Sequence, residues 1–584
     1  MNFLPGALCV ILFTFYIGTI LSNRFKLTIS QFVILSSVSS LWFSWIVVFF
    51  LNKFDILFSE YLIYFLFIIV FLINNITDFK IKINEIIFFF IYFIIFSIII
   101  FSILILDKEY LPVFVHGDAV FQWNGNWAFQ LFNNSFKPYG NYPVFWPALW
   151  SLIYKSLNSI SNWILPSLSL FILPILSINS LYSLFKRKNP ITFILSSIFL
   201  VIFSFSLSNR YFIGYMDVPL AILSFVFFSI TFSFFISSDS KYLIILAFIT
   251  GVISVTKQAG LIFLLFYFAL LVISFFLKLI NLRFFFIHSF LSGLPFLFFI
   301  LMYENSNIIS FFIETILGNF GNQTYLKSLT LSHAGEENLY LYSFKKLFER
   351  FYIQLFILML IISLYNFLNL KKRICLLGSM ILITAAISFY YFSNFGSYDD
   401  RNGWFIIPMI FFSFLCVIEN SNIKFFDNNL IKKNFMNGNI QINRMFFFLL
   451  IILIFIFLLI EKKINFKSVQ KLVQSNFAGT YNEGIIAENF LKENMGCSRV
   501  ITNWHVFAYN YFVFPYYNLD NTKSRIIVLS SDADYTQFLE QITQCKKKNL
   551  FVFNSEYLKT DLSKLTKYKV IILSNQSILV EEIN

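Results

Sequence analysis

Uninterrupted apolar runs recur along most of this chain, and they decide its class before any other feature does. A helix rises about 1.5 Å per residue, so about 20 apolar residues cross a hydrocarbon core roughly 30 Å thick. Within that core every backbone N–H and C=O needs an internal partner, which leaves helices or closed barrels. A spanning strand would alternate in polarity over about ten residues. These runs are longer and continuous, so they predict spanning helices. Only 12% of the residues are charged, about half the share usual for soluble domains. The first run, 5–22, has neither a basic leading region nor a small-residue cleavage site, and reads as a retained span rather than a signal peptide.

Spans are expected near residues 5–22, 29–51, 57–75, 85–106, 161–183, 190–208, 218–237, 241–256, 259–277, 284–303, 349–369, 374–394, 404–420 and 444–460. That makes about 14. Loops on one side are then short and basic: "NRFK" (23–26), "KIK" (80–82), "KRK" (186–188), "LKLINLR" (277–283), "KKR" (371–373) and 421–443. Basic loops stay cytoplasmic, which sets the orientation. The other side carries the longer, mixed loops 107–160, 209–217, 304–348 and 395–403. The formal net charge of +13 is explained by the basic loops, so nucleic acid is not an expected partner. The stretch "PVFWPALWSLIY" (143–154) is too short to span. Its Trp146, Trp150 and Tyr154 form one helical stripe. It reads as a helix at the membrane surface, with a buried core helix as the alternative.

From about residue 461 the composition turns polar. "SRVIT" (498–502), "RIIVLS" (525–530), "LFVF" (550–553) and "KVIIL" (569–573) read as strands, with helices near 484–494, 534–545 and 560–566. Their alternation predicts a small α/β domain on the outer side. Cys9, Cys375 and Cys416 lie in apolar runs and act as small hydrophobes. Cys497 and Cys545 lie in the polar region, where an oxidising compartment would permit a disulfide. No Cys/His spacing typical of a metal site is present.

The outer loops also hold the chain's notable charges. "VFVHGDAVFQW" (113–123) carries His116 and Asp118. "NRYFIGYMDVPLA" (209–221) carries Arg210 and Asp217, "SVTKQAGL" (254–261) carries Lys257, and "GSYDDRNGWFIIP" (396–408) carries Asp399, Asp400 and Arg401. A bundle of spans would let these loops converge on one polar pocket. Each has a plainer explanation. Asp217 followed by Pro219 looks like an N-cap with proline in the first turn. Lys257 reads equally well as a snorkelling side chain, the 399–401 group as a solvated turn, and Asp118 beside Gly117 as a turn residue. His116 and His333 have ordinary structural and loop readings too.

Taken in order, "YPVFWPALW", "GYMDVPLA", "TKQAGL" and an arginine just before a late span resemble the GT-C superfamily of polytopic glycosyltransferases. That superfamily includes protein mannosyltransferases and the aminoarabinose transferases that modify lipid A. "YPVFW" is similar to a Tyr-Pro-Pro-Leu-like segment, with Val144 in place of the second proline. "GYMDVPLA" is similar to an Asp-x-Pro-Leu segment and "TKQAG" to a Thr-Lys-x-x-Gly segment. The family often has two adjacent acids in its first outer loop; here Ala119 follows Asp118, so only Asp118 carries over. The resemblance covers roughly 85–420. It implies an α-helical polytopic membrane protein with a GT-C-like core over 85–460; the spans over 1–84 are an addition to that core, and 461–584 is the small extracytoplasmic α/β domain read above. It places the chain in the plasma (inner) membrane.

The implied reaction moves a sugar from a polyprenyl-phosphate carrier to a lipid, glycan or protein acceptor outside the cytoplasm, with inversion. Phosphate leaves readily as an anion, so one carboxylate suffices as general base, and Asp118 is the candidate. Lys257 and Arg401, then Arg210, are candidates for the departing phosphate. A divalent metal could substitute, with Asp118 and Asp217 as possible ligands and His116 as a supporting candidate. Trp123 and Tyr142 are candidates for stacking on sugar faces, the alternative being an interfacial aromatic belt. Two rival functions share the same loops. A transporter or flippase for lipid-linked glycan would call for buried mid-span charges and internal repeats. An outer-leaflet glycan polymerase or ligase would call for a large loop rich in Arg and His, whereas 304–348 carries only Lys327, Lys345, Lys346 and His333.

Overall fold

The computed structural model describes most of residues 4–76, 143–158, 164–185, 190–207, 216–302, 330–348 and 353–420, shorter stretches such as 80–82, 127–134 and 439–441, and the segments of a small sheet within 486–582. The chain is a polytopic helical membrane protein. Eight described helical segments are long and apolar enough to cross a bilayer. The elements used below are α1 (Leu4–Ser22), α2 (Ile29–Lys53), α3 (Glu60–Ile76), α4 (Phe145–Leu157), α5 (Leu165–Leu184), α6 (Pro190–Leu207), α7 (Asp217–Ser237), α8 (Lys241–Ser254), α9 (Leu261–Phe276), α10 (Leu282–Leu301), α11 (Ile353–Ser363), α12 (Arg373–Phe395) and α13 (Ile406–Asn420). Of the 14 expected spans, eight match these full-length segments and four match shorter apolar helices near α3, α6, α8 and α11. The run 444–460, and 85–106 apart from a few residues around Tyr92, lie outside the described residues.

Lipid is as apolar as leucine, so hydrophobic burial does not drive these helices together; close packing and interhelical hydrogen bonds do. α2 shows why its sequence suits this. Ser36, Ser37, Ser39, Ser40 and Ser44 are buried along it and let neighbours approach. Ser40 Oγ accepts from Gly18 N at 2.7 Å, and Ser36 Oγ donates to Ser22 Oγ at 2.9 Å. A Cβ on Gly18 would stand 1.9 Å from the Ser36 carbonyl, so only glycine fits that crossing. Trp42 and Trp45 donate to the carbonyls of Leu291 and Pro295 in α10 at 3.0 and 2.8 Å. Ser224 of α7 donates to Phe405 O at 2.8 Å, just ahead of α13.

The expected surface helix at 143–154 is instead a core helix. In α4, Trp146, Trp150 and Tyr154 are all buried, and α4 packs against α1 and α2. Its aromatic stripe meets other helices rather than head groups. A stripe alone does not distinguish a helical neighbour from an interface.

Among the described residues, polar loop contacts gather at two separate places. On the basic-loop face Lys241 donates to Lys26 O, Gln31 Nε2 to Asp239 Oδ2 at 3.2 Å, and Arg373 Nη1 to Ser238 Oγ at 2.7 Å. β1 (Lys80–Lys82) pairs antiparallel with β2 (Asn439–Gln441). The helix ends near 217, 255 and 402 meet at the other face.

The C-terminal segments form a five-stranded sheet ordered β4-β3-β5-β7-β6 from β3 (Val500–Thr502), β4 (Ile526–Val528), β5 (Asn549–Val552), β6 (Tyr568–Ile572) and β7 (Ser577–Glu582). β3 pairs parallel with β4 and β5, and β7 pairs antiparallel with β5 and β6. The four strands read from the sequence are present. The fifth, β7, pairs antiparallel with β6 and has no counterpart in the sequence reading. Phe538 of the helix Tyr535–Glu540 packs on Phe551 and Phe553 and gives the sheet its own core.

Candidate functional site

Three chain segments far apart in sequence meet at the face opposite the basic loops. The first is the start of α7. Asp217 is the first residue of that helix, and its side chain makes no capping hydrogen bond. The expected N-cap is therefore corrected: its carboxylate turns to a lysine from the next turn of the bundle. The second segment is the break after α8. Lys257 is extended, and a single 3-10 turn over Gln258–Gly260 leads into α9. Gly260 N closes that turn on Lys257 O at 2.8 Å. A Cβ on Gly260 would lie 2.0 Å from the Ile253 carbonyl, so the break is this tight only because the residue is glycine. The third segment joins α12 to α13 through a 3-10 turn over Asp400–Gly403.

Lys257 Nζ forms a short ion pair with Asp217 Oδ1 and donates to Asn402 Oδ1 at 2.7 Å. Arg401 Nε stands 2.8 Å from Asp399 Oδ2 and 3.9 Å from Asp217 Oδ2. Asp399 also accepts from Arg401 N at 3.2 Å, fixing the turn that presents the guanidinium. Asn402 Nδ2 donates to Gly396 O at 3.0 Å, so its amide oxygen is held toward the lysine. Burial pushes the Tyr398 phenol above the usual tyrosine range, with the neighbouring Asn402 side chain opposing that shift.

The side chains of Lys257, Arg401 and Asp217 are 12%, 13% and 6% exposed. These values rule out snorkelling for Lys257 and a solvated turn for Arg401. Asp399 stays wetter, at 27%. Desolvating a charge costs several kcal/mol, roughly, unless it is paired. Here each cation has a carboxylate, and Asp217 faces both.

The "YPVFW" segment reaches the same place: Phe145 N donates to Val255 O at 3.1 Å, two residues before Lys257. Trp123 is buried, edge to face with Trp127 at 4.7 Å, a packing position rather than an open platform. Asp118, His116, Arg210 and Tyr142, and the cysteines Cys497 and Cys545, lie outside the described residues. His333 is exposed. Among the described residues no group of three or more His, Cys, Asp or Glu is placed to hold a metal ion.

Sequence reasoning missed Asn402 and Tyr398. The only available signal was their adjacency to the 399–401 charges. It also missed a second polar knot on this face. Lys155 of α4 donates to Phe132 O at 2.8 Å and Asn134 Oδ1 at 2.5 Å, and Asn134 Nδ2 donates to Asp55 Oδ1 at 2.8 Å. Burial pushes the Lys155 ammonium down to about 8, with Asp55 opposing that shift.

The fold and the cluster together define a polytopic integral membrane protein with a buried ion-pair network at one mouth of its helical bundle. No family model matches the chain, and no curated protein matches it. Among solved structures it is similar to ArnT from Cupriavidus metallidurans bound to undecaprenyl phosphate, with a TM-score of 0.43 and 11% identity over 83% of this chain and 97% of that one. The apo state of ArnT is similar at a TM-score of 0.42 and 12% identity, over 84% and 97%.

Proposed function

We propose that the chain is a membrane glycosyltransferase that moves a sugar from a polyprenyl-phosphate donor to an acceptor on the face opposite the basic loops. The observation that carries this reading is the convergence of Asp217, Lys257, Asn402 and Arg401 from three separate segments at one end of the bundle. A lipid-borne donor lies along the spans with its phosphate at that level. An ammonium has three N–H bonds. Asp217 and Asn402 take two of those on Lys257, and the third suits a phosphate oxygen. Arg401 adds fixed positive charge beside it. Preorganised cations lower the barrier because negative charge grows on the phosphate as the glycosidic bond breaks.

Both carboxylate oxygens of Asp217 face cations, which makes it their counter-ion. The proton acceptor for the incoming hydroxyl is then Asp118, and direct displacement inverts the anomeric centre. In this reading the C-terminal sheet lies on the acceptor side and the chain resides in the inner membrane.

The test uses the purified full chain in lipid with a panel of polyprenyl-phosphate sugars, for wild type, Asp118→Asn and Lys257→Gln. Turnover in wild type that falls about 10²–10⁴-fold in Asp118→Asn supports the base assignment. Equal turnover in wild type and both variants rejects these roles. Tight binding of lipid-linked glycan across the panel with no turnover replaces the transferase by a transporter.

A further inference from the structure

At the far end of the bundle from Lys257, a cavity of about 840 Å³ opens where α8 begins, α9 ends and α10 begins. Two lysines line it. Lys241 opens α8, and Lys278 sits in the turn after α9 with left-handed backbone, φ 56°. The apolar wall is made by Phe25, Phe276 and Phe284. Phe276 and Phe284 are 75% and 51% exposed, on helices long enough to span, so these rings face acyl chains. The cavity therefore combines a cationic rim at head-group level with a greasy side open to the bilayer.

A buried group gives an independent pointer. His288 also lines the cavity and is only 4% exposed, yet its Nδ1 has no hydrogen-bond partner among the described residues. An orphaned buried nitrogen is costly, so the cavity wall holds an unsatisfied polar group. The loops around the opening carry Arg24, Lys26, Lys241, Lys278 and Arg283 against Asp239 alone. Such an excess attracts anions.

We propose that this cavity binds an anionic bilayer phospholipid. Its phosphate lies between Lys241 and Lys278, a head-group hydroxyl reaches His288, and one acyl chain runs along Phe276 and Phe284. The site is on the basic-loop face, at the opposite end of the spans from the ion-pair cluster, and it holds whether or not the chain transfers sugar.

The test is native mass spectrometry of the full chain in micelles titrated with phosphatidylglycerol, phosphatidylcholine or undecaprenyl phosphate. Three proteins are compared: wild type, Lys241→Gln with Lys278→Gln, and Lys371→Gln with Lys372→Gln. The last pair removes the same charge from another exposed loop on the same face. Phosphatidylglycerol affinity falls about thirtyfold in the cavity variant and stays at the wild-type value in the control, as expected for two lysines near a head group. Equal loss in both variants, no loss in the cavity variant, or preference for phosphatidylcholine or undecaprenyl phosphate overturns the proposal. Should the double variant fail to fold, the exposed Lys278→Gln alone is read the same way, with an expected loss of about fivefold.

Discussion

Lys257 and Asp217 depend on each other in a way that separates stability from chemistry. Removing one member of a buried pair strands the other charge, at a cost of about 3–5 kcal/mol. Lys257→Met is therefore expected to lower the thermal midpoint sharply in detergent, and the double variant Lys257→Met with Asp217→Leu to recover most of it. Sugar transfer stays lost in both. Recovery of transfer along with stability in the double variant would show the pair to be structural only. Lys155 supplies a second residue-level prediction. Its pKa is lowered by burial to about 8, below the ordinary lysine value of 10.5. The unfolded chain therefore binds more protons than the folded one between those values, and stability rises with pH across that window. Thermal unfolding measured from pH 8 to 10.5 should show this rise in wild type and a smaller one in Lys155→Met. At this scale the sequence was informative about identity and poor about partners. Lys257, Asp217 and Arg401 stood out as charges beside apolar runs. That Asn402 would orient the lysine, or that Lys155 would be buried, depends on contacts between distant segments that no local pattern records.

Among the elements, the break between α8 and α9 is the most exacting. A side chain on Gly260 collides with the Ile253 carbonyl, and the listener to any opening of that turn is Lys257, three residues earlier. Gly260→Val is expected to leave membrane insertion unchanged while abolishing transfer, checked by comparing yield in membranes with turnover. Normal turnover would mean that the lysine tolerates displacement. The helices themselves were readable because each run is long and nearly free of charge. α4 was misjudged for a physical reason: in a membrane protein a Trp-rich stripe suits both the head-group region and the bundle interior. β7 escaped because "SILVEE" is short and ends in two acids, and its pairing with β5 and β6 is what makes it a strand.

At the scale of the whole molecule, hydrogen bonds gather Lys26, Gln31, Asp239 and Lys241 at one end and Asp217, Lys257 and Asn402 at another, and the basic loops are expected to face the cytoplasm. Sidedness is legible because charge placement in short loops is a direct constraint on insertion. Convergence within a face is not, because it depends on how the spans pack. Single cysteines at exposed Leu370, in the "KKR" loop, and exposed Tyr340, on the opposite side, should react differently with an impermeant maleimide on intact cells, in a background where Cys497 and Cys545 are serine. Tyr340→Cys labels and Leu370→Cys labels only after lysis. Equal labelling of both would reject the topology.

The pairing of Lys80–Lys82 with Asn439–Gln441 has a consequence in time. Translation proceeds at about 5–20 residues per second, so the first strand waits on the order of tens of seconds for its partner. Every helix from α4 to α13 is synthesised during that interval. The two-stranded ribbon is thus a clasp that closes behind helices α4 to α13, and release of the nascent chain before residue 439 would leave its first strand unpaired and open to proteases.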